Sequence, residues 1–416
     1  MPNATTMTID ERRKYLLIMR QRYVLADRPT RSQLLDEMTR VTALQRKSRL
    51  RRLAGELTRQ PRTHERARTY GTPRVAALRV IAESFDYLCP ERLTPNLGWM
   101  ARQLVQHGEL TVSAEVLAQL EAVSTSTVQR LLDHIRQDER RLPQKGPERA
   151  HQVLREVPMK RIAWDIQEPG HFETDLVHHG GRDTSGEYVH TLQLIDRRAT
   201  GWSERMAVLG RGYLVMQAAF RRGLARLPFA VLEIHPDNGS EFFNQHLVRF
   251  WHEVVSGATL SRSRPYQKND NRNVEQKNSA LVRAYLGFAR LDLGLQTLAL
   301  NELYDQMWLY YNLFQPVMHL VEKTLVVNAA DDRPHVTRRH DAAQTPFDRL
   351  CATQAIPPAR REQLNRLRDA TNPRRLRLDI YDRLARLWTL PGATAGVVED
   401  VHALLAAIAQ PALALL

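Results

Sequence analysis

Apolar positions in the first 140 residues recur at helical spacing, and from about Gly170 they switch to the alternation of half-buried strands. Thr30 or Ser32 is placed to cap a helix whose Leu34, Leu35, Met38 and Val41 share one face. After a break near Val41-Thr42, residues 43–57 interleave Leu44, Leu50, Leu53 and Leu57 with Arg46, Lys47, Arg49, Arg51 and Arg52. That pattern predicts a helix-turn-helix region over 1–60 with a basic second helix, a shape that reads DNA. A solvated basic face on a bundle helix is the plainer alternative.

Residues 61–74 are basic and broken by Gly71 and Pro73, so they read as a linker able to follow a phosphate backbone. A second helical region is predicted over 75–137, with helices at 75–88, 97–107, from Ser113, and at 125–137. Val128, Leu131, Leu132 and Ile135 face inward on the last. The tight turn at 122–124 makes the final pair a second helix-turn-helix. Thr125, Ser126, Thr127 and Arg130 then bring hydroxyls, free N–H groups and a cation to the start of the recognition helix, where phosphates and base edges are met. Against this, serine and threonine cap ordinary helices constantly. The charged, proline-bearing stretch within 138–165 reads as the next linker.

Strands are predicted at 171–177, 188–196, 201–208, 230–235 and 259–263, with helices at 212–227, 241–254 and after Asp270. Three strands joined as hairpins, then alternating helix and strand, predict a mixed five-stranded sheet with helices on both faces over 166–325. Trp308, Tyr310, Tyr311 and Phe314 read as core of its closing segment. Residues 326–416 read as a basic, mainly helical tail, where Arg374, Arg375 and Arg377 either track DNA or pack on another subunit.

Composition narrows the partners. The 416 residues carry 60 Lys and Arg against 46 Asp and Glu, a formal charge of +14. Such an excess suits a polyanion, nucleic acid first and an anionic membrane surface second. Two cysteines, Cys89 and Cys351, make a disulfide framework improbable and exclude a zinc finger of paired Cys and His. With no apolar run long enough to span a bilayer and no signal-like start, no membrane role is expected. A cytoplasmic, nucleoid-associated bacterial protein is the expectation.

Three acids at separated points carry the chemistry. Asp175 falls within the first strand and Asp237 at the end of the fourth, with Asn238-Gly239 turning the chain away. Glu275 sits in the helix that follows, 37 residues lying between it and Asp237. Hard oxygen donors of this kind hold Mg²⁺. Three carboxylates forced together repel one another, which makes sense when two divalent ions about 3.5–4 Å apart fill the gap. Glu241, Asp270, Glu173 and Asp196 are rival acids, more readily explained as cap, turn or non-catalytic strand positions.

These residues carry a resemblance. Glu173-Thr174-Asp175, Leu194-Ile195-Asp196-Arg197 with Gly201-Trp202, His235-Pro236-Asp237-Asn238-Gly239-Ser240-Glu241-Phe242, and Ser263-Arg264-Pro265-Tyr266 through Val274-Glu275-Gln276-Lys277-Asn278 resemble the catalytic core of DDE transposases and retroviral integrases, bacterial insertion-sequence transposases in particular. The resemblance implies a ribonuclease H-like fold over about 170–325. It also implies Asp175, Asp237 and Glu275 as catalytic and metal-binding triad, and two Mg²⁺ ions, with Mn²⁺ able to substitute. The implied activity is strand nicking at transposon ends and 3′-hydroxyl transfer into target DNA by a homo-oligomer that synapses two ends. The separation of the last two acids is longer than the family's most familiar spacing. Arg264, Lys268, Arg272 and Lys277 flank the third acid as candidate phosphate contacts. Two other readings stay open, a catalytically silent DNA-binding repressor derived from a transposase and a structure-specific nuclease of the same fold.

Overall fold

In the computed structural model, five strands form one mixed sheet in the order β3-β2-β1-β4-β5. The strands are β1 (His171–His178), β2 (Val189–Asp196), β3 (Ser203–Leu209), β4 (Glu233–Pro236) and β5 (Thr259–Leu260). The structure describes residues 9–42, 53, 72–135, 168–182, 185–196, 199–236, 250, 253–255, 257–261, 277–327, 334–394, 397 and 399–410. β1, β2 and β3 run antiparallel as two hairpins, and β1–β4 and β4–β5 are parallel. The expected sheet is therefore present, its strand ends shifted by a few residues. The expected helix at 241–254 lies mostly outside the described residues.

Contacts divide the chain into two units, Met1–Thr69 and Tyr70–Leu416. In the first, α1 (Ile9–Leu25) and α2 (Arg28–Thr42) bury Leu16, Met19, Leu34, Leu35 and Met38 together with Leu53. Val41, expected on this stripe, is exposed, and Thr42 is buried in its stead, its hydroxyl donating to Met38 O at 2.6 Å. Arg46, Lys47 and Arg49 lie outside the described residues.

In the second unit, α3 (Thr72–Ser84), α4 (Pro90–Leu93), α5 (Leu97–Gln106), α6 (Ala114–Ala122) and α7 (Thr125–His134) share one hydrophobic core with the sheet and the C-terminal helices. Ser113 and Ser124 cap α6 and α7 as their sequence positions foretell, each accepting a backbone N–H of the first turn. Val128 and Ile135 are buried, and Leu131 and Leu132 are half-buried against the same core.

The sheet is enclosed by α8 (Tyr213–Leu224) and α10 (Gly294–Leu309). Trp308, Tyr310 and Phe314 are fully buried, the core role expected of them. The helix predicted after Asp270 falls within the described residues only from Lys277 onward. A π-helical turn (Asn278–Arg283) runs into α9 (Ala284–Leu286) and stops at Gly287, whose φ of +60° breaks the helix. Gly170, with φ +114°, leads into the sheet where a Cβ would meet Ala230 O at 2.5 Å.

β3 is the sheet's edge, and an unpaired edge inside a protein strands its polar backbone groups. Two asparagines and an arginine supply partners. Asn312 bonds both N and O of Ser203 at 3.0 Å, and Asn301 bonds N and O of Ala207 at 2.9 and 2.8 Å. Arg226 donates to Arg205 O between them. The edge is thus closed by side chains instead of a sixth strand.

Next, β6 (Leu320–Val327) and β7 (Pro334–His340) form an antiparallel ribbon, a separate two-stranded sheet that begins in the last residues of the expected core and returns within the region read as mainly helical. α11 (Pro346–Cys351), α12 (Pro358–Ala370), α13 (Pro373–Leu387) and α14 (Leu405–Ala409) complete the chain. Two of the basic residues of α13 are engaged in packing, whereas Arg375 is exposed and pairs with Asp379 one turn on at 3.1 Å. Arg374 pairs with Glu83 at 2.9 Å, and Arg377 with Asp86 at 2.7 Å. They hold α13 to the first helices of this unit, a packing role within the chain at residues expected to track DNA or pack on another subunit.

Candidate active site

Asp175 lies on the central strand, half-buried, between two elements that reach it from distant parts of the sequence. One is β4. Thr174, the residue before Asp175, pairs with Pro236, the residue before Asp237. The other is the turn at Asn278, whose Nδ2 donates to Asp175 Oδ2 at 2.5 Å. The second oxygen, Oδ1, accepts the Leu176 N–H at 2.8 Å. Asn278 is itself buried, and it comes three positions after Glu275. Asp237 and Glu275 lie outside the described residues, as do Arg264, Lys268 and Arg272.

Across the sheet, register places Asp175 beside Gln193 of β2, and Gln193 beside Arg205 of β3. Side chains in register share a face, so an acid, an amide and a cation stand in line over three strands. Gln193 is fully buried, and neither side-chain amide atom has a hydrogen-bond partner. Arg205 is also buried, with Nε, Nη1 and Nη2 all unpartnered, and its guanidinium lies 5.1 Å from the Tyr311 ring centroid. Desolvation holds its pKa below the ordinary arginine value, with nearby tyrosines opposing. A buried cation without a hydrogen-bonded acid is costly, and such costs concentrate at functional sites.

Lys277 adds to this positive side. It is half-buried, and burial first, then Arg92 and Arg205, push its ammonium down to about 8. Arg92 in turn donates Nε to Pro316 O at 2.7 Å. Gln193, Arg205 and Asn278 were not singled out from sequence. Only the strand register, once known, aligns the first two with Asp175.

Of the rival acids, Glu241 and Asp270 lie outside the described residues, and Asp196 and Glu173 sit within the sheet. Asp196 is buried and accepts the N–H groups of Gly170 and Thr200 at 3.2 and 2.9 Å and the Thr200 hydroxyl at 2.5 Å. Burial raises its pKa, and those hydrogen bonds oppose the rise. It ties the β2–β3 turn to the start of β1. Glu173 is buried opposite Ile195 and beside His235. His235 Nδ1 lies 2.6 Å from Ser261 Oγ, whose hydroxyl donates to Glu233 at 2.5 Å, so β4 and the end of β5 are fixed just before Asp237.

On α7, Ser126 and Arg130 are exposed and Thr125 and Thr127 half-buried. Arg130 Nη2 donates to Thr127 Oγ1 at 3.1 Å, and Ser124 Oγ lies within 3.2 Å of the Ser126 and Thr127 hydroxyls. The four candidate residues of this turn therefore gather on one helix start. Among the described residues no group of three His, Cys, Asp or Glu side chains is gathered for a metal.

No established family model matches the chain. It is 36% identical over 307 residues to the uncharacterized protein y4rM of Sinorhizobium fredii (strain NBRC 101917 / NGR234), a match covering 74% of this chain and 87% of that one. The chain belongs to the same family as that protein. Among solved structures, the catalytic core domain of BIV integrase is a neighbour at 17% identity and a TM-score of 0.22, covering 26% of this chain and 64% of that one.

Proposed function

We propose that this protein is a DNA transposase of an insertion sequence, in which Asp175, Asp237 and Glu275 form the catalytic triad of a polynucleotidyl transferase. The observation that carries the reading is the convergence on Asp175. The residue preceding Asp237 pairs with the residue preceding Asp175, and Asn278, three positions past Glu275, donates to the Asp175 carboxylate. Residues one position before Asp237 and three positions after Glu275 are thus both brought to the strand that carries Asp175.

The donor set fits Mg²⁺, because carboxylate oxygens are the hard ligands it prefers and Asp175 is oriented by the Leu176 N–H and the Asn278 amide. When bound, two such ions activate the attacking oxygen and stabilise the leaving one. In the first step a water oxygen bonds to phosphorus at the element end as the P–O3′ bond breaks, and the freed 3′ oxygen takes up a proton. In the second, that 3′-hydroxyl loses its proton and bonds to a target phosphorus as the target P–O3′ bond breaks, and the freed target 3′ oxygen takes up a proton. Asn278 holds the Asp175 carboxylate in one orientation through both.

In this reading the 1–60 and 75–137 regions recognise the element ends. Arg46, Lys47 and Arg49 contribute in the first, and Thr125, Ser126, Thr127 and Arg130 in the second. Arg264, Lys268, Arg272 and Lys277 hold phosphates beside the triad. Two ends are synapsed by more than one copy of the chain. The test uses the purified full chain, Mg²⁺ and a labelled duplex of the element's own end. A 3′ nick that disappears in Glu275→Gln while DNA binding persists is the expected result. Binding without cleavage by the wild type, in Mn²⁺ as in Mg²⁺, would overturn the enzyme and leave a DNA-binding repressor.

A further inference from the structure

The β6–β7 ribbon stands apart from everything used above. It forms a sheet of its own, and its described positions from Val321 to Thr324 and from Val336 to His340 are all exposed. A lone two-stranded ribbon is marginal in water, so one that projects in this way needs either a firm root or a partner. The root is present. Val317 and Gln344 form a backbone bridge, Asp341 Oδ1 accepts the His319 N–H at 2.7 Å, and Arg349 of α11 clamps Asp341 with Nη1 at 2.7 Å and Nη2 at 3.0 Å. The same Arg349 Nη2 donates to Val317 O at 2.9 Å. The strands leave the body from a braced base.

The two faces of the ribbon differ in charge. On one, Glu322 stands opposite Arg339, and the two pair at 3.1 Å. On the other, Lys323 stands opposite Arg338, cation against cation, both exposed. Like charges directly across a strand pair are destabilising, and an anion between them reverses the sign. Val336, also exposed, lies two residues along β7 from Arg338 and so shares its face. A double-stranded ribbon of eight residues is about 23 Å long, and a B-DNA major groove about 12 Å wide admits such a ribbon.

We propose that the β6–β7 ribbon is a DNA-binding arm that lays its Lys323/Arg338 face against the phosphates bordering a groove of duplex DNA. This rests on the transposase reading for its choice of partner, but uses a surface remote in sequence from both helix-turn-helix regions and from the triad. Its contacts are to phosphate, so the arm adds affinity and orientation with little sequence preference.

The test is fluorescence anisotropy of the full chain with a labelled duplex of arbitrary sequence, over a series of KCl concentrations. Each neutralised phosphate contributes about 0.9 to the slope of log K against log salt. The variant Lys323→Gln/Arg338→Gln is expected to flatten the slope by about 1.8, weakening binding about 60-fold near 0.1 M salt. Lys323→Gln alone should flatten it by about 0.9, whereas Arg339→Gln, on the opposite face, should leave the slope near its wild-type value. An unchanged slope in the double variant overturns the arm. So does an unchanged slope accompanied by lost binding to phosphatidylserine vesicles, which would make the face a membrane contact, or by a change in sedimentation, which would make it a contact between copies. Asp175→Asn separates the two ideas. It should abolish nicking and keep the wild-type slope, so loss of the arm and loss of the catalytic reading register in different assays. A wild type that binds no duplex at any salt would overturn both.

Discussion

Asn278 Nδ2 lies 2.5 Å from Asp175 Oδ2, joining a π-helical turn to the central strand across 103 positions of sequence. A hydrogen bond to a charged acceptor is worth about 1.5–3 kcal/mol, and each 1.36 kcal/mol is a factor of ten in rate. Asn278→Ala is therefore expected to slow single-turnover nicking about 10- to 150-fold with DNA binding retained. Asn278→Asp should be worse, since it sets a second negative charge against Asp175 in place of a donor. Nicking at the wild-type rate by Asn278→Ala would show that Asp175 needs no such positioning.

The histidines of β1 and β2 give the fold a pH dependence that can be read off their burial. His179 is pushed down to about 3, by burial first and then by Arg283, His190 and His178. His190 is pushed down to about 4, again by burial first and then by His178, with a backbone hydrogen bond opposing. Both are lower in the folded chain than the unfolded value of 6.5, so both stay neutral in the fold while the unfolded chain takes up protons. Their contribution is fully present above pH 6.5 and is lost as pH falls through the window down to about 4 and about 3. Stability should fall by about 1.5–2 kcal/mol per histidine between pH 7.5 and pH 5. Denaturant melts of wild type and His190→Phe measure this, and Phe should flatten the slope while keeping the stack on Tyr188, whose ring centroid lies 4.6 Å away. Parallel pH curves for the two proteins would refute the assignment.

The closed edge of β3 predicts a stability effect at two asparagines far from the triad. Asn301→Ala removes both partners of a buried Ala207 peptide, and Asn312→Ala does the same at Ser203. A buried polar group left unpaired costs about 1–3 kcal/mol, so each substitution should cost about 2–5 kcal/mol. Asn301→Asp keeps the acceptor and loses the donor, and should fall between wild type and alanine. Thermal unfolding checks all three, and an Asn301→Ala protein that melts with the wild type would mean water replaces the amide.

Period and punctuation made the strands legible. His171–His178 and Val189–Asp196 have strand composition with turn residues between them, and Ser113 and Ser124 announce their helices directly. Asp175 was legible from its place in an ordered trio of acids, although Glu173 stands two positions away on the same strand. Gln193 and Arg205 were not, since each looks like an ordinary outward polar residue until register sets it beside its neighbours. The partners of Arg374 and Arg377 were hidden for a related reason. Their acids, Glu83, Glu109 and Asp86, are more than 260 positions away, beyond the reach of any local pattern. The ribbon was missed because Leu320–Val327, where the core was expected to close, combines β-branched residues with a charged pair, and β7 falls in the tail expected to be helical.

Arg222 links three parts of the chain that sequence keeps apart. From α8 it reaches Asp305 of α10 with both oxygens in range, at 2.7 and 2.8 Å, and Nη1 donates to Gln410 O at 2.6 Å and Ile408 O at 3.3 Å. Ile408 is fully buried and Leu405 and Ala409 pack against the same core, so α14 is held by these apolar contacts together with the Arg222 guanidinium. Asp305 keeps a second partner in Arg226, at 2.6 Å, so removing Arg222 does not strand the acid. The consequence should be local. Arg222→Met is expected to lower hydrogen-exchange protection at 405–409 by at least about tenfold, the loss of about 1.4 kcal/mol, while the amides of β2 exchange as in the wild type. Arg222→Lys, which keeps the charge but not the planar fork, should fall between the two. Equal loss of protection in α14 and β2 would show instead that Arg222 supports the whole fold and not the docking of its last helix.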